Sequence, residues 1–185
     1  MIIIGITGTL GAGKGTIVDF LVKEYAFTHY SVRQYLIEIL EEKKEKVNRD
    51  TMVSLANELR GKFGPDYIAA QLYEKAKKNG GNCIIESLRT AGEVKTLREK
   101  ESFSLLSVDA DSKLRYERIK KRKSSTDMIS YDEFVANEKR EMENTDPNKQ
   151  SLKKCIEMSD YQLNNDGVIT DLHQKIIELM KEVLK

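Results

Sequence analysis

A chain of 185 residues with 31 Lys and Arg against 30 Asp and Glu is long enough for one sizeable core and is close to neutral. This balance gives no electrostatic basis for a nucleic-acid partner or an anionic membrane. The apolar run at the N-terminus is too short for a signal sequence, and no stretch approaches the roughly 20 apolar residues of a membrane span, so we expect one cytoplasmic domain, as a monomer or a homodimer.

Short β-rich runs alternate with helical periods along the chain. The predicted strands cover residues 1–7, 83–87, 103–110 and 161–165, with a weaker fifth at 26–31. The predicted helices between them cover residues 14–25, 90–100, 111–123 and 168–184. This alternation predicts an α/β fold, a three-layer α/β/α sandwich around a five-stranded parallel sheet, with ligands at the carboxyl ends of the strands.

Two stretches interrupt the alternation. Residues 32–80 hold two or three helices and no strand, so we predict a helical excursion over the top edge of the sheet that binds the acceptor. Residues 123–150 are polar, and Ser130 with Glu133 predicts a capping box for a helix near 131–143. We interpret this second excursion as a short lid. The rest of the single domain, 1–185, is a core of residues 1–31, 81–122 and 151–185.

The cysteines and histidines carry no catalytic pattern. Cys83 and Cys155 match no metal-ligand spacing and are interpreted as reduced structural thiols in a strand and a helix. His29 and His173 have no accompanying acid or nucleophile pattern, so both are interpreted as structural or surface residues.

The stretch GTLGAGKGT is the most specific motif in the chain. Gly8, four residues, then Gly13 and Lys14 match the front of the pattern G-x-x-x-x-G-K-[ST], between a predicted strand and a predicted helix. Glycines let successive backbone N–H groups converge on phosphate oxygens, and Lys14 places a charge on the β and γ phosphates. The residues expected to bind ATP there are Gly8, Gly11, Ala12, Gly13, Lys14, Gly15 and Thr16.

This loop resembles those of the adenylate kinases, which read G-x-x-G-x-G-K-G-T, and the resemblance extends over almost the whole chain. It implies a P-loop nucleoside monophosphate kinase that uses ATP and Mg²⁺. It also explains why Gly15 stands where most phosphate loops have Ser or Thr. The resemblance assigns Thr16 a phosphate contact and leaves Mg²⁺ held largely through water.

Two further segments resemble adenylate kinases around the reacting phosphates. IIESLRTAGEV is similar to the DGFPRT turn, which implies that Glu86 serves Mg²⁺ and Arg89 grips the acceptor's phosphate. Arg118 and Arg122 match an R-x-x-x-R after the fourth strand, where the first arginine lies against adenine and the second reaches the ATP phosphates. Phosphoryl transfer needs such charge neutralisation and alignment more than covalent help.

The remaining basic residues of this half have two interpretations. Arg140, on the predicted lid helix, covers the transferring phosphate in related kinases, and the alternative is a surface ion pair on its own helix. Arg115 and the lysines Lys120, Lys121 and Lys123 are interpreted as a solvated basic face.

The acceptor side of the chain departs from the adenylate kinases. HYSVRQYL follows the second strand, where the family reads S-T-G-D-x-x-R; Ser31 matches, the T-G-D does not, and Arg33 is a candidate for the acceptor's phosphate. ANELRGKFGPDYIAAQL resembles a segment of proteins grouped with dephospho-CoA kinases, which implies that Arg60 reaches the acceptor. Asn48 and Arg49 are secondary candidates.

The C-terminal segment SDYQLNNDGVITDL resembles the A-D-x-x-I-x-N-x-G-x-x-x-x-L ending of dephospho-CoA kinases and deoxynucleoside monophosphate kinases. In those families an Asn-x-Gly turn borders the adenine of ATP. The resemblance therefore assigns Asn165 and Gly167 to ATP, chiefly through the backbone.

Together these patterns predict an ATP-dependent phosphotransferase that moves the γ-phosphoryl group to a small phosphorylated acceptor, with a nucleoside or deoxynucleoside monophosphate as first choice. Dephospho-CoA kinase is the alternative enzyme, although no acid stands out as a base for a ribose hydroxyl. A nucleotide-binding ATPase or regulatory switch is the alternative of another class, but N-K-x-D and D-x-x-G motifs are absent. The predicted catalytic residues are Lys14, Arg89, Arg122 and Arg140, the acceptor-binding residues Ser31, Arg33, Arg60 and Arg89, and the metal-binding residues Thr16 and Glu86.

Overall fold

Five parallel strands form one sheet in the computed structural model, which describes residues 1–100, 102–122 and 128–185. The strands are β1 (Ile3–Gly8), β2 (Thr28–Ser31), β3 (Cys83–Glu86), β4 (Phe103–Asp109) and β5 (Tyr161–Asn164). Their order across the sheet is β2-β3-β1-β4-β5, and every neighbouring pair is parallel. The predicted fold class is confirmed, including the weaker strand that precedes the first excursion.

Nine helices accompany the sheet in the described residues. They are α1 (Lys14–Tyr25), α2 (Val32–Glu42), α3 (Arg49–Phe63), α4 (Tyr67–Asn79), α5 (Ala91–Arg98), α6 (Ser112–Arg122), α7 (Tyr131–Met142), α8 (Leu152–Glu157) and α9 (Ile169–Val183). The excursion at 32–80 therefore holds three helices, α2 to α4.

Helix α7 begins where the capping box predicts. The Ser130 hydroxyl accepts a hydrogen bond from the Glu133 backbone N–H, and the Glu133 carboxylate accepts one from the Ser130 N–H at 2.7 Å. This reciprocal pair satisfies two donors of the first helical turn. Residues 123–127 of the predicted lid, and the last predicted residue of the helix at 111–123, lie outside the described residues.

The two faces of the sheet bury alternate residues of its strands. Ile3 and Ile85 belong to one apolar cluster, which includes buried residues of α2, α3, α4 and α5. Ile4 and Ile84 belong to the other, which is completed by α1 and α9. Every residue of β1 is buried, as expected for the central strand of a parallel sheet that is covered on both faces.

Both cysteines lie inside this packing, and neither forms a disulfide among the residues described. Burial raises the pKa of the Cys83 thiol to about 11 and that of the Cys155 thiol to about 12, so both stay protonated near neutral pH. Their interpretation as structural thiols agrees with this placement. Within the described chain no helix has the length and apolar character needed to cross a membrane.

The parallel arrangement brings three loops to one edge of the sheet. β1 ends at Gly8 before the loop that leads into α1, β2 ends at Ser31 before α2, and β3 ends at Glu86 before α5. Since β1 and β3 are neighbours, as are β3 and β2, the residues at these ends meet in one place.

Candidate active site

A cleft of about 800 Å³ opens at the carboxyl edge of the strands. Its volume lies in the range of roughly 300–1,000 Å³ that is usual for small-molecule sites. Fourteen predicted residues line it: Gly11, Gly13, Lys14, Gly15, Thr16, Ser31, Arg33, Arg60, Glu86, Arg89, Arg118, Arg122, Asn165 and Gly167. Residues far apart in the sequence thus share one cavity.

The charged side chains that line the cleft are mostly basic. Among the described residues, seven basic side chains line it against three carboxylates, although the whole chain is nearly neutral. The basic residues are Lys14, Arg33, Arg49, Arg60, Arg89, Arg118 and Arg122. Such a concentration of positive charge between low-dielectric walls attracts polyanions.

The phosphate loop has a shape that needs glycine at Gly13. Its φ is 107°, and a Cβ there would lie 2.4 Å from the side-chain nitrogen of Asn165. Gly8 and Ala12 support the loop rather than line the cleft: the carbonyl oxygen of Gly8 accepts a hydrogen bond from Lys14, and that of Ala12 accepts one from Asn165.

The ammonium group of Lys14 lies against the loop. It donates hydrogen bonds to the carbonyl oxygens of Gly8 and Thr9, both at 2.8 Å. Burial, followed by the positive charge of Arg89, lowers the pKa of Lys14 to about 8. An incoming phosphate would favour the charged form of this amine.

The carboxylate of Glu86 is held by three polar neighbours at the end of β3. Its two oxygens accept hydrogen bonds from Ser87 at 2.5 Å and from Ser31 at 3.2 Å, and Nε2 of His29 lies 3.8 Å away. Burial alone would raise the pKa of Glu86, but the nearby His29 imidazole, the charge of Lys14 and the Ser87 hydroxyl lower it to about 2. Glu86 is therefore an ionised acceptor of hydrogen bonds or ligand of cations, and a poor proton acceptor near neutral pH.

Arg60 is anchored more tightly than a purely acceptor-binding residue needs to be. Its side chain is 1% exposed, and its Nη2 lies 2.8 Å from a carboxylate oxygen of Glu93. Glu93 also caps α5, since its carboxylate accepts the backbone N–H groups of Arg89 and Thr90. Within the described residues Nη1 of Arg60 is buried with no hydrogen-bond partner, and Arg60 lines the cleft.

Arg89 faces Arg49 across the carboxylate of Glu141. Nη1 of Arg89 donates to one oxygen of Glu141 at 2.5 Å, and Nη2 of Arg49 donates to the other. All three side chains line the cleft. One carboxylate from α7 therefore joins the start of α3 to the loop after β3.

Arg118 lies beside the turn that follows β5. Its Nη2 donates to the backbone oxygen of Asn165 at 2.8 Å, while Nη1 is buried without a partner in the described part of the chain. Gly167 and the exposed Ile169 line the cleft next to it. The predicted ATP residues of α6 and of this turn are thus neighbours.

Two basic residues are not where the sequence suggests. Arg140 does not line the cleft among the described residues; its half-exposed guanidinium hydrogen-bonds to Asn137 and lies 3.4 Å from Asp50. Arg115 is buried instead of solvated, and it holds Glu138 of α7 and the backbone oxygen of Ala110. The interpretation of Arg115 as a surface residue is wrong, because this guanidinium packs α6 against α7.

The structure identifies three cleft residues to which the sequence assigns little or no role. His29 has no partner in the sequence pattern, yet it lines the cleft beside Glu86. Arg49 is only a secondary candidate in the sequence, and Glu141 is no candidate there. Both contacts of Glu141 span long stretches of chain, 92 residues to Arg49 and 52 to Arg89, so no local spacing reveals them.

The fold is shared with several proteins of known structure, kinases among them. The crystal structure of TT1252 from Thermus thermophilus superposes with a TM-score of 0.66 at 19% identity, over 98% of this chain and 97% of that one. Shikimate kinase from Bacteroides thetaiotaomicron gives a TM-score of 0.59 at 14% identity, over 97% and 98% of the two chains. Gluconokinase from Sinorhizobium meliloti gives 0.58 at 10% identity, over 99% and 95%. At these identities the likeness establishes a P-loop kinase-like fold.

Comparison of sequences finds relatives of similar length. A UPF0200 protein from Staphylothermus marinus is 24% identical, with 100% of this chain and 94% of the relative aligned. Another from Methanothermobacter thermautotrophicus is 26% identical over 99% and 91% of the two chains. A family model described as an AAA domain, AAA_18, matches residues 4–146, more than half of the chain.

Proposed function

The chain belongs to the AAA_18 family of AAA domains, and from this premise we propose that it is an ATP-dependent phosphotransferase whose acceptor is a small phosphorylated molecule, a nucleoside or deoxynucleoside monophosphate. The observation that carries this proposal is the continuity of the cleft. The phosphate loop and the acceptor-side arginines line one cavity with room for two small ligands.

The cleft has two chemically different halves. On the ATP side, Lys14 would hold the β and γ phosphates, with Arg118 and Ile169 near the adenine. On the acceptor side, α2 and α3 present an apolar wall beside Arg33 and Arg89. The wall comprises Val32, Leu36, Met52, Val53 and Ala56. A molecule with a flat apolar part and a phosphate, such as a nucleotide, matches this pairing.

The reaction requires in-line transfer between two anions. Lys14 and Arg122 would neutralise charge on the transferring group, and Arg89 would orient the acceptor. A phosphate acceptor is already ionised, so no general base is needed.

Thr16 and Glu86 both line the cleft near Lys14 and are our candidates for the magnesium ion that accompanies ATP. Magnesium is usually held by one or two protein groups together with waters and substrate phosphates. No group of three or more His, Cys, Asp or Glu side chains in the described residues could hold a metal by itself. The ion's role would be to neutralise charge on the β and γ phosphates.

A kinase of an alcohol, dephospho-CoA included, is the second candidate, and His29 favours it. The imidazole lines the cleft 3.8 Å from the Glu86 carboxylate, an arrangement that can accept a proton from a hydroxyl group. If an alcohol is the acceptor, His29→Gln should lower kcat by roughly 100-fold or more. With a monophosphate acceptor the same variant should retain its kcat.

The deciding experiment measures ADP release from Mg-ATP with a panel of ribo- and deoxynucleoside monophosphates and dephospho-CoA. Turnover of at least one monophosphate supports the proposal, and Lys14→Ala should abolish it. Turnover of dephospho-CoA alone would replace the first choice by the second. ATP hydrolysis that no acceptor changes would instead favour a nucleotide-binding ATPase or regulatory switch.

A further inference from the structure

Arg49, Arg89 and Glu141 form a cluster in the wall of the cleft, and the transfer reaction as proposed gives no role to Arg49 or Glu141. We propose that Arg49 and Arg89 are the subsite for a phosphate monoester of the acceptor, and that Glu141 occupies this subsite as an internal anion which the acceptor must displace. The inference rests on the proposed function, because it assigns the acceptor's anchor within the same cleft.

The contacts of Glu141 are those of a bound anion. Its side chain is 7% exposed, and each carboxylate oxygen receives a charged hydrogen bond from a different arginine. The two arginines are themselves largely covered, at 18% and 17% exposure. Charge-assisted bonds in such a sheltered place are among the stronger polar contacts in proteins.

A phosphate would satisfy this cluster better than the carboxylate does. Nε of Arg49 is buried and has no hydrogen-bond partner in the described residues. Nη1 of Arg89 is shared between Glu141 and a longer contact of 3.3 Å to Gln150. A phosphate monoester brings three acceptor oxygens and about two negative charges, against two oxygens and one charge for Glu141.

Glu141 and an acceptor phosphate cannot occupy the pair together. Glu141 lines the cleft between the two guanidinium groups, so a dianion placed there would meet a buried like charge at contact distance. The cluster also lies close to the phosphate loop, because the charges of both Arg89 and Glu141 act on the pKa of Lys14. An anion that replaces Glu141 would therefore lie near the phosphate to be transferred.

The position of Glu141 in α7 lets it leave without unpacking the helix. It stands in the last turn of α7, after both residues that hold the helix to α6. Those contacts are the Glu138–Arg115 ion pair and the packing of Phe134 against Tyr116. Displacement then requires movement of the final turn and loosening of the exposed ion pair between Glu143 and Lys153 of α8, while the contacts with α6 remain.

The test measures binding of inorganic phosphate by calorimetry, at constant ionic strength and with saturating ADP on the phosphate loop. Glu141→Gln keeps the shape of the side chain and removes its charge, and we expect about tenfold tighter phosphate binding. Asp132→Asn is the matched control, since it removes an exposed carboxylate from the first turn of the same helix, away from this cluster, and its affinity should stay within about twofold. In the double variant Glu141→Gln/Arg89→Ala the gain should disappear.

Unchanged or weaker phosphate binding by Glu141→Gln would overturn the proposal, since it would mean that Glu141 merely orients the arginines. A gain that survives in the double variant would overturn it too. The wild-type protein supplies a check independent of any variant: phosphate should accelerate amide hydrogen exchange in the last turn of α7, and unaltered exchange at saturation contradicts displacement. None of these readouts needs turnover, so the subsite can be established even if every acceptor fails in the kinase assay.

Discussion

The side-chain amide of Asn165 donates a hydrogen bond of 2.8 Å to the carbonyl oxygen of Ala12, 153 residues earlier in the chain. The turn after the last strand thereby supports the phosphate loop from the side. The backbone oxygen of Asn165 accepts a hydrogen bond from Arg118. Asn165 therefore links Arg118 of α6 to the phosphate loop. The sequence predicts a backbone role for Asn165, and the structure adds this side-chain contact.

Replacing Asn165 by alanine should weaken nucleotide binding. The variant leaves the buried oxygen of Ala12 without its donor, at a cost of about 1–2 kcal/mol, which corresponds to roughly tenfold in affinity if the loop loses its bound shape. Titration with ADP measures the change. Asn164→Ala is the control, because that side chain is exposed and bonds only within its own turn among the described residues. Equal losses in the two variants would refute the special role of Asn165.

Adding a side chain at Gly13 and at Gly15, the two neighbours of Lys14, should have different effects on the melting temperature. Gly13→Ala should lower the melting temperature, because φ is 107° and the new Cβ would strike Asn165. At Gly15 no described atom outside its chain neighbours and the nearby backbone of its own helix lies within 4 Å of an added Cβ, so Gly15→Ser should melt within about 2 °C of the wild type. Since Gly15 lines the cleft, its hydroxymethyl group should raise the KM for acceptor or ATP. A large melting shift in Gly15→Ser would contradict this placement.

Nucleotide binding should take up a proton in mildly alkaline solution. Without ligand the pKa of Lys14 is lowered to about 8 by burial and by the charge of Arg89, so the amine is partly neutral there. Bound phosphates favour the charged amine and raise its pKa, hence ADP affinity should fall as pH rises above about 8. Calorimetry in buffers of different ionisation enthalpy counts the proton.

Lys14→Arg is the control for this linkage, since a guanidinium stays charged throughout the range. Its affinity should be independent of pH even if its absolute value is lower. A wild-type protein that binds ADP equally well from pH 7 to pH 9.5, with no proton uptake, would show that Lys14 is charged before the nucleotide arrives.

Arg89→Ala should chiefly damage acceptor use. Our proposal assigns the guanidinium to the acceptor's phosphate, so we expect the KM for the acceptor to rise by at least about tenfold while that for ATP changes little. Steady-state kinetics with each substrate varied in turn separates the two. Arg98→Ala, which removes a half-exposed arginine paired with Asp160, should leave both constants unchanged. Unaltered acceptor kinetics in Arg89→Ala would exclude its assigned role.

Replacing Arg60 should lower the free energy of unfolding, because its ion pair with Glu93 is buried. Arg60→Met leaves the buried Glu93 carboxylate without its ion pair, and breaking such a pair costs about 3–5 kcal/mol in the free energy of unfolding. The double variant Arg60→Met/Glu93→Gln, which leaves no unpaired charge, should recover part of the loss. Urea unfolding measures both. A single variant as stable as the wild type would show that the pair is not a structural anchor.

The periodicity of the sequence predicts the fold well because strand and helix are local properties. The alternating runs locate all five strands, and Ser130 with Glu133 locates the start of α7. The phosphate loop is equally readable, since its glycines and Lys14 lie within one short stretch of the sequence.

The orientation of α7 could not be predicted, because adjacent residues on a helix point about 100° apart and only tertiary contacts fix the rotation. The resemblance favours Arg140 as the residue of α7 that faces the cleft. The ion pair between Glu138 and Arg115 fixes the rotation of α7, and Glu141, the residue after Arg140, lines the cleft instead. Arg115 in turn looks like part of a solvated basic helix, since the partner that buries it lies 23 residues away.

The burial of the two thiols gives the protein a pair of chemical reporters. Cys83 in β3 and Cys155 in α8 are at most 1% exposed, and their raised pKa values keep the reactive thiolate scarce near neutral pH. A disulfide reagent can therefore reach them only when a strand of the sheet or the short helix opens. The chain contains no tryptophan to follow by fluorescence, so the labelling rates of these two cysteines would measure the opening of two separate elements in the unaltered protein.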